Sequence, residues 1–371
     1  MTEKILGKHT QALSRTLGLT QGGTVIATGI SGQTLADLGS SKREDLQLSP
    51  SYSLVYRVLS AFPHLSPIKP PISMSDFTSF VRQHTGVSLG NEASILLGQQ
   101  KTWYYKARMQ AALSPAASNL ALLYMHLIKS NKPLMGSRNK GSKCTGLDAA
   151  RQIAEKEAHS RGLDRRILWK HGTWPRNKIL SESAQLYPTP EDTSDSITSR
   201  DVKRMLHTLS KDSKRELSYI ELSFFFGVTQ HRMIELCKKY AHPLEIPPNT
   251  GLLVRCLEAI PEQELPFTLP TITPREVFDV FAKHGLSNKH EVSVYLGLKG
   301  SNHRNMEDLG SSKSYTERLG YYIAKGCKLD PGFMGKYLEI VNQDAMSRGM
   351  ANGDIFKTHL WPIEKAKHER N

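Results

Sequence analysis

The sequence predicts an all-α protein built from four similar small modules arranged as two duplicated halves. Three observations carry this. First, EAHSRGLDRRILWKHGTWP (157–175) aligns without a gap with DAMSRGMANGDIFKTHLWP (344–362). Ala158/Ala345, Ser160/Ser347, Arg161/Arg348, Gly162/Gly349, Lys170/Lys357, Trp174/Trp361 and Pro175/Pro362 are identical, where average composition gives about one match by chance. Second, SPSYSLVYRVLSAFP (49–63) parallels PPNTGLLVRCLEAIP (247–261), with Arg57 on Arg255 and Pro63 on Pro261. FTSFVRQHTGVSLGNEASILLG (77–98) likewise parallels VFDVFAKHGLSNKHEVSVYLG (277–297). Third, Gly29 and Gly98 are 69 residues apart, and Gly227 and Gly297 are 70 apart, each within a common local pattern. The copies span roughly 10–178 and 205–365.

The pattern around each glycine has a physical reading. Thr20, Ser88, Ser218 and Ser287 stand nine or ten residues before it, as N-caps of a helix. Ser218 and Glu221 have capping-box spacing. Ser94, Ser223 and Ser293 supply a small side chain four residues before the glycine, where the first module has Val25 instead. The glycine allows a turn at positive φ. Leu35/Leu38, Tyr104/Ala107, Met233/Leu236 and His303/Met306 follow six and nine residues later, on one face of a second helix. Two short helices crossing at a tight turn make a helix-turn-helix. A further helix starts at Ser49-Pro50, Ser114-Pro115, Pro247-Pro248 and Ser312-Lys313-Ser314, with Pro favourable at the first position. Spacing from glycine to helix start alternates between 21 and 17, so the modules alternate in type.

The predicted organisation is module 1 (10–70), module 2 (71–130), a basic arm and helical appendage (131–178), a linker (179–204), module 3 (205–270), module 4 (271–328) and a C-terminal helical appendage (329–371). The arm, SNKPLMGSRNKGSK, is rich in Gly, Ser and Lys. Segment 179–199 holds four acids, no base and two prolines, which suits a linker. Trp174 and Trp361 are expected to close the hydrophobic core.

The chain has 49 Lys and Arg against 35 Asp and Glu, a formal charge of +14. Residues 129–178 hold thirteen bases and four acids, a net +9. Such an excess suggests a polyanion as partner. No apolar run is long enough to span a membrane, and the N-terminus lacks a signal-peptide core. Four scattered cysteines form no Cys-x-x-Cys pair, which points to a reducing cytoplasm and to no structural zinc. No Walker loop, His-Glu-x-x-His or nucleophile elbow is present. Neither enzymatic activity nor a cofactor is expected.

FAKHGLSNKHEVSVYLGLKGSNHRNMEDLGSS (281–312) resembles the helix, turn and recognition-helix run of the Cro/λ-repressor-like (XRE-type) domains, and LGLTQGGTVIATGISGQTLADLGSS (17–41) is similar. Gln99 and His303 depart from the usual apolar pattern. The resemblance implies four five-helix modules; the repeated segments add a C-terminal Trp-Pro appendage to each half. In such modules the second helix enters the major groove N-terminal end first. The readers would be Gly32, Gln33 and Thr34 in module 1 and Lys101, Thr102 and Trp103, with Lys106 and Arg108, in module 2. Module 3 offers Gln230, His231 and Arg232, and module 4 offers Ser301, Asn302 and Arg304. Gln and Asn suit adenine, and Arg suits guanine. Arg138, Lys140, Lys143, Arg161 and Lys170 would hold phosphates, as would Arg348 and Lys357.

The sequence therefore points to a cytoplasmic, nucleoid-associated transcriptional regulator of a bacterial mobile element. Its partner would be double-stranded DNA carrying a pseudo-palindromic or extended operator. RNA polymerase or another regulator, and a second copy of the chain, are left open as protein partners. The alternatives are a replication initiator or centromere-binding partition protein, and an interaction adaptor without DNA binding.

Overall fold

The computed structural model describes residues 3–41, 43–130, 146–174, 197–209, 217–237, 246–261, 264–309 and 314–362. Among them twenty α-helices form and no strand does. A 3-10 turn at Pro63–Leu65 and one antiparallel bridge, Leu6 to Gln47, complete the regular structure. The first four helices are α1 (His9–Thr16), α2 (Gln21–Thr28), α3 (Gly32–Leu38) and α4 (Pro50–Ala61). Then come α5 (Met74–Thr85), α6 (Glu92–Leu96), α7 (Trp103–Arg108), α8 (Pro115–Ser130), α9 (Gly146–Ser160) and α10 (Arg165–His171). Next are α11 (Ser199–Thr208), α12 (Tyr219–Phe226), α13 (Gln230–Cys237) and α14 (Pro248–Ala259). The last six are α15 (Pro274–Lys283), α16 (Lys289–Tyr295), α17 (Asn302–Leu309), α18 (Ser314–Leu329), α19 (Phe333–Ser347) and α20 (Asp354–Thr358). No helix among the described residues is long and apolar enough to cross a membrane.

The helices begin where their capping chemistry puts them. Thr20 Oγ1 accepts from the amide of Gly23, and Ser218 makes a full capping box with Glu221. Further capping boxes start α5 (Ser73, Asp76), α11 (Thr198, Asp201) and α15 (Thr273, Glu276). Four of the longer helices, α4, α8, α14 and α18, start at the expected Pro50, Pro115, Pro248 and Ser314. Two expected caps are displaced. Gly90 takes φ +50° and re-aims the chain, so α6 starts beyond Ser88, with Asn91 at its cap position. For α16 the cap is Asn288, not Ser287, because the Asn side chain accepts from the His290 amide. Of the segment read as a linker, 179–196 lies outside the described residues and 199–204 is helical.

The chain divides into two compact units. Unit 1 is Met1–Pro70 with Phe267–Asn371, and unit 2 is Pro71–Pro266. In unit 1, α4 packs on α18 and α19, and α18 packs on α2, α15 and α19. Leu54, Val55, Val58 and Leu59 of α4 are fully buried there, with Leu319, Tyr322, Ile323, Tyr337 and Val341. Unit 2 uses the same scheme with other helices. There α14 packs on α8 and α9, and α8 packs on α12, α5 and α9. Ala149, Ala150, Ala154 and Ala158 bring α9 close to both neighbours. Cys237 and Cys256 are buried free thiols, and burial pushes Cys237 up to about 11 and Cys256 further.

Gly29, Gly98, Gly227 and Gly297 all take positive φ, from 59° to 74°. Each also lies against the start of a long helix in its own unit. A Cβ on Gly29 would meet the Ser314–Tyr315 backbone at 2.5 Å, and one on Gly297 would collide with Pro50–Ser51. In unit 2, Gly98 faces Asn249 and Gly227 faces Pro115–Ala116. Gly285 also has positive φ, 82°, but nothing lies within 4 Å of the site of its Cβ. Gly285→Ala should therefore cost only backbone strain, about 1–2 kcal/mol. Gly29→Ala adds a collision with backbone and should cost roughly 2–5 kcal/mol. Urea unfolding of the two variants measures the difference; equal losses would remove the close approach as the reason for Gly29.

Candidate nucleic-acid interface

Four second helices follow the left-handed glycines, and each is held from below. Leu35 and Leu38 bury one face of α3, and Met233 and Leu236 do so for α13. Ala107 anchors α7, and Met306 anchors α17. Tyr104 and His303, the other expected anchors, are only half-buried; His303 hydrogen-bonds with Gly300 O. The helices fall into two types. Helices α3 and α13 start three residues after their glycine, behind Ser31 and Thr229, whose hydroxyls accept from the amides of Thr34 and Arg232. Helices α7 and α17 start five residues after theirs.

The first helix of each pair ends in carbonyls with no helical partner. Other elements of the same unit cap them. In unit 1, Arg318 Nε donates to Ile26 O and Tyr322 Oη to Ala27 O, fixing the end of α2. Tyr337 Oη donates to Tyr295 O, and Trp361 Nε1 to Val294 O, fixing α16. In unit 2, Asn119 Nδ2 donates to Phe224 O and Phe225 O at the end of α12, and Trp174 Nε1 donates to Ile95 O in α6. Trp174 and Trp361 are 2% and 3% exposed, so the appendages close the core and cap a helix at once.

Most sequence-predicted readers lie at the surface. Gln33, Thr102, Lys106, Arg108, Gln230, His231, Arg232, Ser301 and Arg304 are exposed, and Gly32, Thr34, Lys101, Trp103 and Asn302 are half-buried. Several are engaged on their own helix. Gln33 Nε2 donates to Asp37 at 2.9 Å, Arg232 pairs with Glu235 at 2.9 Å, and His231 Nε2 lies 3.3 Å from the same Glu235. The Arg108 guanidinium lies over the Tyr104 ring, 5.7 Å from its centroid. Tyr105 and Met109, one turn apart beside it, are 64% and 88% exposed. Unit 1 holds α3 and α17 together, and unit 2 holds α7 and α13 together.

The basic appendage divides. Lys170 is exposed on α10, and the Lys101 amide donates to Gly172 O at 2.8 Å, which sets the end of α10 against the start of the α7 turn. Arg138, Lys140 and Lys143 lie outside the described residues. Arg161 must be reassigned. It is 5% exposed, and its Nε and Nη2 donate to Glu157 Oε1 at 2.8 and 2.6 Å, so its guanidinium faces the core and not a phosphate. Arg255 Nε grips the other oxygen of Glu157 at 2.7 Å. Unit 1 has a matching group: Arg57 Nε and Arg348 Nε donate to the two oxygens of Asp344 at 2.9 and 2.8 Å. Arg348, the other arginine read as a phosphate contact, is therefore also turned inward. The recurrence of Arg57 in Arg255, and of Arg161 in Arg348, was the signal for this cluster. Residue type alone favoured a surface role.

Among the described residues no group of three or more His, Cys, Asp and Glu could hold a metal ion. No protein family, no curated protein and no solved structure matches the chain.

Glu157 is 1% exposed and Asp344 is 0% exposed. Removing one partner from a buried ion group leaves uncompensated charge inside, typically costing about 3–5 kcal/mol. Glu157→Gln should destabilise unit 2 by about that much, and Asp344→Asn should do the same in unit 1. Chemical denaturation checks both; a loss below about 1 kcal/mol, the surface-pair range, would contradict the burial.

Proposed function

We propose that this chain is a sequence-specific double-stranded DNA-binding regulator of transcription whose four second helices are the reading elements. The observation that carries the reading is the repeated build of these helices. Each is anchored on one face and follows a left-handed glycine; α3, α13 and α17 offer a polar start to solvent, while α7 starts at Trp103 behind the exposed Thr102. Gln33, Gln230 and Asn302 suit adenine, and Arg232 and Arg304 suit guanine. The exposed bases Lys106, Arg108 and Lys170, with the half-buried Lys101, suit phosphates. The net charge of +14 suits a partner whose binding releases counterions.

The four modules are read here as Cro/λ-repressor-like domains, and the two halves as products of duplication. The division into units adds a detail. Helices α3 and α17 act as one reading pair and α7 and α13 as the other, so a full operator has two parts, each read by a pair. The pair in unit 2 has the more basic surroundings.

Selection of bound sequences from random double-stranded DNA tests the reading directly. A defined site should emerge, and affinity for it should fall steeply as salt rises. Arg232→Ala should relax preference at one position and cost about 1–3 kcal/mol there. Lys170→Ala should weaken all sequences evenly and flatten the salt slope by about one. No enrichment, or salt-independent affinity, would overturn the proposal.

A further inference from the structure

The two buried ion groups differ in one respect, and the difference is balanced. In unit 1 the carboxylate is Asp344, and Ser53 on α4 donates its hydroxyl to the Asp344 oxygen that Arg57 also holds. In unit 2 the carboxylate is Glu157, one methylene longer. The α14 residue facing it is Gly251, where a Cβ would collide with Glu157 Oε1. Glu157 cannot swing aside cheaply, because Arg161 and Arg255 hold both of its oxygens. Ser53 and Gly251 occupy the same place in the two units, four residues before Arg57 and Arg255. The short acid thus meets the residue with a side chain, and the long acid meets the residue without one.

The two members of each couple come from opposite halves of the chain. Ser53 lies in the first half and Asp344 in the second, while Glu157 lies in the first and Gly251 in the second. Residues 1–70 therefore share a unit with 267–371, not with the segment that follows them directly. The contacts common to both units do not by themselves choose this partnership. Arginines, glycine turns, Trp caps and long-helix starts recur in each.

We infer that the couples Ser53–Asp344 and Gly251–Glu157 are a size-matched code that selects which α4-type helix joins which α9-type helix. The code directs each half of the chain to the other half as its partner. The uncrossed combinations are both faulty. Ser53 against Glu157 places a side chain where the carboxylate lies. Gly251 against Asp344 leaves a void and removes the hydroxyl donor from a buried carboxylate. Packed interiors respond to a single methylene, so one such mismatch per unit is enough to discriminate. The inference does not depend on DNA binding.

The test uses the full chain with a protease site placed between 179 and 196, cut after folding, and the two pieces followed by size exclusion and by dilution. Each piece contributes to both units, so the wild-type pieces should stay together as one complex. Exchanging only the helix side, Ser53→Gly with Gly251→Ser, mismatches both crossed couples. The pieces should then associate at least tenfold more weakly. Adding Asp344→Glu and Glu157→Asp to that variant rematches both couples and should restore association. In unit 2 alone, Gly251→Ser should lower the melting temperature by several degrees, and adding Glu157→Asp should recover most of that loss. Wild-type pieces that separate on cutting would overturn the inference. So would a helix-side exchange that leaves association unchanged, a fourfold exchange that fails to restore it, or additive losses in unit 2.

Discussion

A buried carboxylate held between two arginines is the constraint on which each unit is built. Burying one charge is costly, and burying three is tolerable only with near-ideal geometry and further hydrogen bonds. Unit 1 meets that condition with Arg57 from α4 and Arg348 from the end of α19. Their remaining donors reach Glu3 O and Leu48 O. Unit 2 meets it with Arg255 from α14 and Arg161 beyond α9, and Arg255 also reaches the Ser160 hydroxyl. Satisfying the group fixes the depth and rotation of α4 on α19, and of α14 on α9. That in turn sets Pro50–Ser51 against Gly297, and Asn249 against Gly98. The second helices α17 and α7 leave from those glycines, so their placement is inherited from the ion group.

Carbonyl capping is the second layer of the same logic. A short helix that ends in a tight turn cannot satisfy its last carbonyls internally. The long helices α8 and α18 supply Asn119, Arg318 and Tyr322 to α12 and α2. The appendages supply Trp174 and Trp361 to α6 and α16. Helices preceding α3 and α13 are thus capped by a long helix, and those preceding α7 and α17 by an appendage. The same division separates second helices starting three residues after the glycine from those starting five after it. Each appendage is therefore a structural part of its own unit before it is anything else.

Much of this was legible in the sequence because its causes are local. Positive φ needs glycine, a helix start tolerates proline, and a capping box is three residues long. The four glycines, the four long-helix starts and the buried tryptophans follow from such rules. Ser88 and Ser287 failed because other local chemistry, Gly90 and Asn288, competes within three residues. What the sequence could not convey is which segments touch. A match between 49–63 and 247–261 says that they are alike, and likeness is silent on partnership. Arg161 misled for the same reason. Its value depends on Glu157 one turn before it and on Arg255, 94 residues away. Among twelve basic neighbours in 129–178 it resembled the rest of the stretch.

The inward arginines also change what the charge of +14 means. Arg161, Arg255 and Arg318 are buried and Arg348 is nearly so, and none can touch a phosphate. Their far field is screened within about 10 Å at ordinary salt. In the proposed reading, contact with a polyanion would therefore fall to exposed groups such as Lys106, Lys170 and Arg232. Two of the four second helices also carry an acid paired to their readers: Asp37 beside Gln33, and Glu235 beside His231 and Arg232. An exposed pair of this kind is worth about 0–1 kcal/mol, so exchanging it for a base contact is cheap. In the proposed complex the acid would remain beside the groove, however, and repel a bare phosphate backbone. In the proposed reading these helices would be weak general anion binders and would gain only where a base edge replaces the acid as partner. The proposal would thus give discrimination and non-specific affinity to different residues: the acid-paired side chains of α3 and α13, and the exposed lysines Lys106 and Lys170 of α7 and α10.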